Sequence, residues 1–220
     1  MARTAPAHTS GRTDDETPSV RRRTRMSPEA REAAILAAAI EFFAERGFAA
    51  QTRELAAQIG VSEPLIYRYF ATKDILIQRV YEETILSRWD PEWETRLRDR
   101  TVAVRDRLIE FYGKYLEAID DRVWIRIVMY SSLDGLHLTN DYIMVRVQHL
   151  LSVISDELVI ALELDEKPEP EIMWHLQSSF IYYLVRKYIH ETAVSGDRPH
   201  TVELLVDDFL GGLVRHIDVT

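Results

Sequence analysis

The chain contains no cysteine, which excludes disulfides, thiolate metal sites and a cysteine nucleophile. No stretch reaches the roughly 18 to 20 apolar residues that a membrane-spanning helix needs. The N-terminus lacks the apolar segment of a signal peptide. The cytoplasm is therefore the expected location, and no membrane partner is expected. Glycine is scarce, 8 in 220 residues, and none of it builds a phosphate loop or a Gly-x-Ser-x-Gly elbow. The histidines (His8, His137, His149, His175, His190, His200 and His216) are scattered, with no His-Glu-x-x-His pair. Asp134 and His137 stand three apart, as metal ligands can, but a lone pair of this kind is ordinarily incidental. Strand-like alternation is absent too. The chain is read as not an enzyme, with no cofactor and no metal.

An excess of positive charge is also missing, since the net charge is −9. Its distribution changes the reading. Residues 21–79 hold 10 basic and 7 acidic side chains, whereas residues 80–220 hold 15 basic and 26 acidic. A mildly basic head on an acidic body suits a protein whose head alone meets phosphate.

What is present is helical patterning. Residues 1–26 are rich in Ala, Thr, Pro, Ser and Arg without an apolar period, and are expected to be a disordered tail. Its Arg21, Arg22, Arg23 and Arg25 are either simply solvated or an arm that follows phosphates or a minor groove. Ser27-Pro28-Glu29 opens a helix carried by Ile35, Leu36, Ala39, Ile40 and Phe43, which Gly47 ends as a left-handed cap. Thr52 caps a second helix over Arg53–Ile59, and Gly60-Val61 turns the chain. Ser62 then caps a third helix to Phe70, with Pro64 in its first turn. Thr72, Lys73 and Asp74 start a fourth, broken at Asp90-Pro91. Further helices are expected near 101–119, 122–134, 139–163, 170–194 and 201–217.

The informative stretch is Gly47 to Lys73, GFAAQTRELAAQIGVSEPLIYRYFATK. Leu55, Ala56 and Ile59 give the first of two short helices one apolar face, and Val61, Ile66 and Phe70 supply the matching positions after the turn. This is the layout of a helix-turn-helix, whose second helix enters the major groove. The run resembles the DNA-binding segment of the TetR family of transcriptional regulators at Gly47, Phe48, Thr52, Leu55, Ala56, Gly60, Val61, Ser62, Ile66, Tyr67, Tyr69, Phe70, Lys73 and Leu76. It departs once: the family ordinarily has one more residue between the positions of Thr52 and Arg53. The resemblance implies an all-α fold, with a three-helix DNA-binding domain over 27–75 and a ligand-sensing, dimerising helical domain over 76–220. It further implies phosphate contacts from Thr52, Tyr67 and Lys73, with Arg53 beside them. Ser62, Glu63, Pro64, Leu65 and Arg68 are the candidate base readers, by Arg68 to guanine, Glu63 to cytosine and Leu65 or Pro64 to a thymine methyl. Tyr69 is left to DNA or to the fourth helix.

Residues 172–189 are apolar around most of a helix, and residues 202–217 carry one apolar stripe. The resemblance implies that these last helices form a homodimer, and Phe180, Tyr183, Leu184, Leu205, Phe209 and Leu213 are the expected interface. A dimer predicts a palindromic double-stranded operator. An apolar or aromatic small effector is expected, with Trp124, Tyr130, His137, Tyr142 and Trp174 as pocket candidates because each joins bulk to a hydrogen-bonding group. Arg122, Arg126 and Arg146 are read as salt-bridge partners or, less simply, as anion contacts. Ligand-released repression is the expected function. The alternatives are a DNA-bound scaffold and a helical protein-interaction module.

Overall fold

Ser27 opens the first helix as its type and place require. In the computed structural model, which describes residues 1–2 and 26–217, its hydroxyl accepts from the amide of Ala30 at 3.2 Å, and Pro28 follows as first helical residue. Arg21, Arg22, Arg23 and Arg25 of the expected tail lie outside the described residues. Helix α1 (Pro28–Arg46) buries Ile35, Leu36, Ala39, Phe42 and Phe43 along one face. Gly47 ends it with φ 77° and ψ 170°, a positive-φ residue but not the left-handed helical cap expected. Helix α2 (Thr52–Ile59) begins one residue earlier than expected, with Gln51 as N-cap. Helices α3 (Glu63–Tyr69) and α4 (Lys73–Thr84) follow, and the Thr72 hydroxyl caps α4 by accepting from Ile75 N at 3.2 Å.

The body departs from the sequence reading at its breaks. Between Asp90-Pro91 and the helix expected near 101–119 the chain forms a short helix, α5 (Glu92–Leu97), that the sequence reading did not include. A 3-10 turn (Leu86–Arg88) precedes Asp90-Pro91. Helix α6 (Val104–Ile119) starts three residues late because Asp99 accepts from both the amide and the hydroxyl of Thr101, a local turn that competes with the helix. Helix α7 (Arg122–Leu133) is as expected. The helix expected over 139–163 runs without a gap from His137 to Ala161, and contains a π-helical turn (Ile143–Val147) between α8 (His137–Tyr142) and α9 (Gln148–Ala161). Helix α10 (Pro170–Tyr188) stops short of 194, and α11 (Arg198–Ile217) closes the described chain.

Two centres organise the packing. An aromatic cluster joins α5, α6 and α10: Tyr112 stacks on Phe180 at 4.3 Å, and Trp93 meets Phe111 and Tyr115 edge-on. Such pairs add about 0.5–1.5 kcal/mol each beyond area burial. A buried ion cluster joins α6 to α9. Glu157 accepts from Arg107 at 2.8 Å and from both nitrogens of the Arg100 fork. The head, α1 to α3, is tied to this body through α4 and α7, both of which pack on α1.

Candidate nucleic-acid interface

Helices α2 and α3 are joined by a turn whose hydrogen bonds explain its sequence. Gly60 sits at φ 68°, ψ 35°, the left-handed region a glycine enters without strain. Its amide donates to Ala57 O, and the amide of Val61 reaches back to Ala56 O at 3.0 Å. This reciprocal pair satisfies the last carbonyls of α2 and reverses the chain. Leu55, Ala56, Ile66 and Phe70 are buried between the helices, with Ile59 and Val61 packed at the edge. Burying a side chain such as Leu55 or Ile66 contributes about 1.5–3 kcal/mol, so α3 is held by its inner face alone.

Its outer face stays in solvent. Ser62, Pro64, Tyr67 and Arg68 are exposed, and Glu63, Leu65 and Tyr69 half-exposed. Ser62 occupies the N-cap position of α3, but its side chain makes no capping bond. The Arg68 guanidinium lies 5.3 Å from the centre of the Tyr69 ring and donates to its hydroxyl, so Tyr69 steadies Arg68. Arg46 and Arg79 are paired with Glu54 and Glu82. Arg53, Arg68 and Lys73 make no ion pair among the described residues.

Thr52 requires a correction. It does not cap α2 but is its first residue, 3% exposed, and its hydroxyl accepts from the Tyr67 hydroxyl at 3.2 Å. Thr52 thus braces Tyr67 and does not present its own oxygen at the surface.

The five residues expected around an effector are not brought together. Trp124 is buried with its ring nitrogen unpartnered. Tyr142 is buried against Trp89, and Arg146 lies over that same tryptophan ring. His137 is exposed. Tyr130 packs on Gly47 at the end of α1. Trp174 lines an open groove of about 400 Å³ between α9 and α10, with Leu151, Ser155 and Met173. Deeper, Gln177 donates to Tyr115 at 2.9 Å, while Gln177 Oε1 and the Tyr112 hydroxyl have no partner. Burial raises the pKa of Tyr115 to about 12 and that of Tyr112 further, so both hydroxyls stay protonated donors.

The expected dimer residues also need correcting. Phe180, Tyr183, Leu184, Phe209 and Leu213 are buried within the protomer, and Leu205 is half-buried. Phe180 belongs to the aromatic cluster, and the Tyr183 hydroxyl donates to Ser195 O at 3.0 Å. The outward stripe of α10 instead carries Ser178 and Tyr182 (58% exposed), with Ile189 exposed just past its end, and that of α11 carries Leu204 (58% exposed), Asp208 and Gly211. A helix that is apolar all round does not announce in sequence which face its own domain takes.

Residues 35–80 match the family described as bacterial regulatory proteins, tetR family. The fold is similar to that of a TetR-like transcriptional regulator from Rhodococcus sp. RHA1, with a TM-score of 0.66 and 20% identity over 86% of this chain and 100% of the other. It is also similar to a TetR-family regulator from Mesorhizobium loti MAFF303099, with a TM-score of 0.57 and 15% identity over 84% and 98% of the two chains. A tetR-family regulator from Streptomyces coelicolor gives 0.53 and 19% over 88% and 90%.

Proposed function

With its helix-turn-helix that of the tetR family of DNA-binding transcriptional regulators, we propose that the chain works as a homodimeric repressor. It binds a palindromic operator through α3 and releases it when a small molecule enters the body. One observation carries this reading. Helix α3 is fully anchored by Ile66 and Phe70, yet it leaves an aromatic and an arginine, Tyr67 and Arg68, in solvent beside Ser62 and Pro64. Among the described residues, the side chains of Tyr67 and Arg68 are hydrogen-bonded only to Thr52 and Tyr69, within the helix-turn-helix itself. Arg68 reads a guanine edge, with Glu63, Pro64 and Leu65 beside it, while Tyr67, Arg53 and Lys73 meet phosphates.

The dimer forms through the outward stripes of α10 and α11. One recognition helix reads too few base pairs for a specific site, and a two-fold pair of them reads two half-sites. Residues 27–75 serve as the DNA-binding domain and 76–220 as the sensing and dimerising one. The open groove lined by Trp174 and Met173 supports effector entry there, one turn of α10 before Gln177, whose carbonyl, like the buried Tyr112 hydroxyl, lacks a partner. Operator and effector then weaken one another by the same factor.

Selection from genomic fragments with the purified chain, followed by titration of the best fragment at two salt concentrations, tests the reading. The expected result is a palindrome bound by a dimer, more weakly at high salt. A folded, dimeric protein that selects nothing above background would replace this reading with that of an interaction module.

A further inference from the structure

Four side chains on one face of α7, each a turn after the last, reach the end of α1 and the turn that leads to α2. Arg122 pairs with Glu45 at 2.5 Å. The Arg126 guanidinium donates to Ala44 O and, at 3.2 Å, to Glu45 O. These are among the last carbonyls of α1, which have no partner inside the helix, and a cation there also suits the helix dipole. Tyr130 lies against Gly47 so closely that a Cβ at position 47 would stand 2.9 Å from the ring. This seat requires glycine for its space as well as for its φ. Last, Asp134 Oδ2 accepts from the amides of Phe48 at 2.7 Å and Ala49 at 3.1 Å.

Asp134 is the informative member. It stands at the C-terminus of its own helix, where the dipole disfavours a carboxylate. Within α7 it has no reason to be there. The two amides it holds lie between α1 and α2, belong to no helix, and are served by charge-assisted bonds, the strong kind. Phe48 is itself buried beside Phe43 in the core of the head. A grip on its amide is therefore a grip on the whole helix-turn-helix.

We infer that Asp134, backed by Arg126 and Tyr130, is a positioning residue for DNA binding: it sets the orientation of the head on the body, and through it the spacing of the two recognition helices. The inference rests on the reading of the chain as a dimeric operator-binding protein. The body touches DNA nowhere in this scheme, so Asp134 acts only by placing the surface that does.

The absence of cysteine makes the test clean. Nitroxide labels on Gln58→Cys in α2 and Lys114→Cys in α6, both exposed positions, report the head-to-body distance within one full-length chain diluted in unlabelled protein. The parent gives one narrow distance distribution. Asp134→Ala broadens it with helix content unchanged, and Asp134→Asn, which keeps an acceptor oxygen, restores most of the narrowness. On DNA, Asp134→Ala binds the selected palindrome about tenfold more weakly or worse but a single half-site as the parent does, and it suffers less from two extra base pairs at the centre. An unchanged distance distribution, or an equal loss on half-site and palindrome, overturns the inference. If the parent selects no DNA, the functional reading fails and the DNA role of Asp134 falls with it, while the distance measurement still decides whether Asp134 holds the head.

Discussion

Tyr67 and Arg68 are neighbours on α3 with different tasks. The Tyr67 hydroxyl is braced by the buried Thr52, a fixed geometry suited to a phosphate whatever the base sequence. Arg68 rests on the Tyr69 ring with its guanidinium at the surface, free to be reoriented by a base edge. Tyr67→Phe is expected to weaken binding to every sequence by a similar factor, and it also leaves the Thr52 hydroxyl without its partner. Arg68→Ala is expected to relax preference at one operator position by about 1–3 kcal/mol. Competition titrations with the selected operator and point-substituted versions separate the two. A uniform loss for Arg68→Ala would remove it from base reading. Most of this face was legible in the sequence, because Ile66 and Phe70 four apart fix which side of a short helix is inner. The burial of Thr52 was not, since it depends on where α2 starts, and one residue of shift turns a side chain by about 100°.

At the scale of elements, α9 is tied to α6 and to the loop before it by Glu157, which is buried between Arg100 and Arg107. Hydrogen bonds from Arg100, then from Arg107, hold its carboxyl down to about 2 from an ordinary 4.5, against the opposing cost of burial. A carboxylate depressed in the folded state contributes stability that is complete above its unfolded value. That stability is lost as the pH falls from about 4.5 towards 2. Thermal unfolding should therefore show a fall in stability across that window, and Glu157→Gln should flatten it. At neutral pH the same substitution leaves the buried Arg107 without a charged partner and is destabilising, although Leu97 O and the glutamine oxygen still accept from it. An unchanged acid profile in the variant would mean that other carboxylates set it. The cluster was invisible in sequence because its partners stand 50 and 57 residues from Glu157 and share no local pattern. The π turn inside the 139–163 helix was also hidden, as Ile143 to Val147 read as ordinary helix residues.

Over the whole molecule, charge and symmetry are the deciding features. Residues 26–79 hold 6 basic and 7 acidic side chains, so the positive excess of the head comes from Arg21, Arg22, Arg23 and Arg25. Removing residues 1–25 is expected to weaken DNA binding at low salt and to flatten its salt dependence, by a slope of about 0.9 for each phosphate no longer neutralised. An identical slope would assign those arginines to solvent. The dimer has its own test. Gly211 lies on the outward stripe of α11, where, among the described residues and apart from its own helix backbone, a Cβ would meet no atom within 4 Å. A glycine inside a helix costs about 1 kcal/mol relative to alanine, and the protomer offers no packing reason for it. Gly211→Leu should therefore shift sedimentation from dimer to monomer with helicity unchanged. A dimer that survives would move the interface away from this stripe.

The sequence by itself determined the helix-turn-helix, because that unit is local: a left-handed Gly60, a serine at the N-cap position of α3, and apolar residues at helical spacing all fall within a few turns of one another. It determined the all-helical body as well, since no alternation competes with the 3.6-residue period. Only the tertiary structure decided which face of α10 turns inward, because a helix apolar around most of its circumference satisfies either choice until a neighbour packs on it. Only it decided what Asp134 is for. The carboxylate and the Phe48 amide are 86 residues apart, and no periodicity in a chain records a contact that folding alone creates.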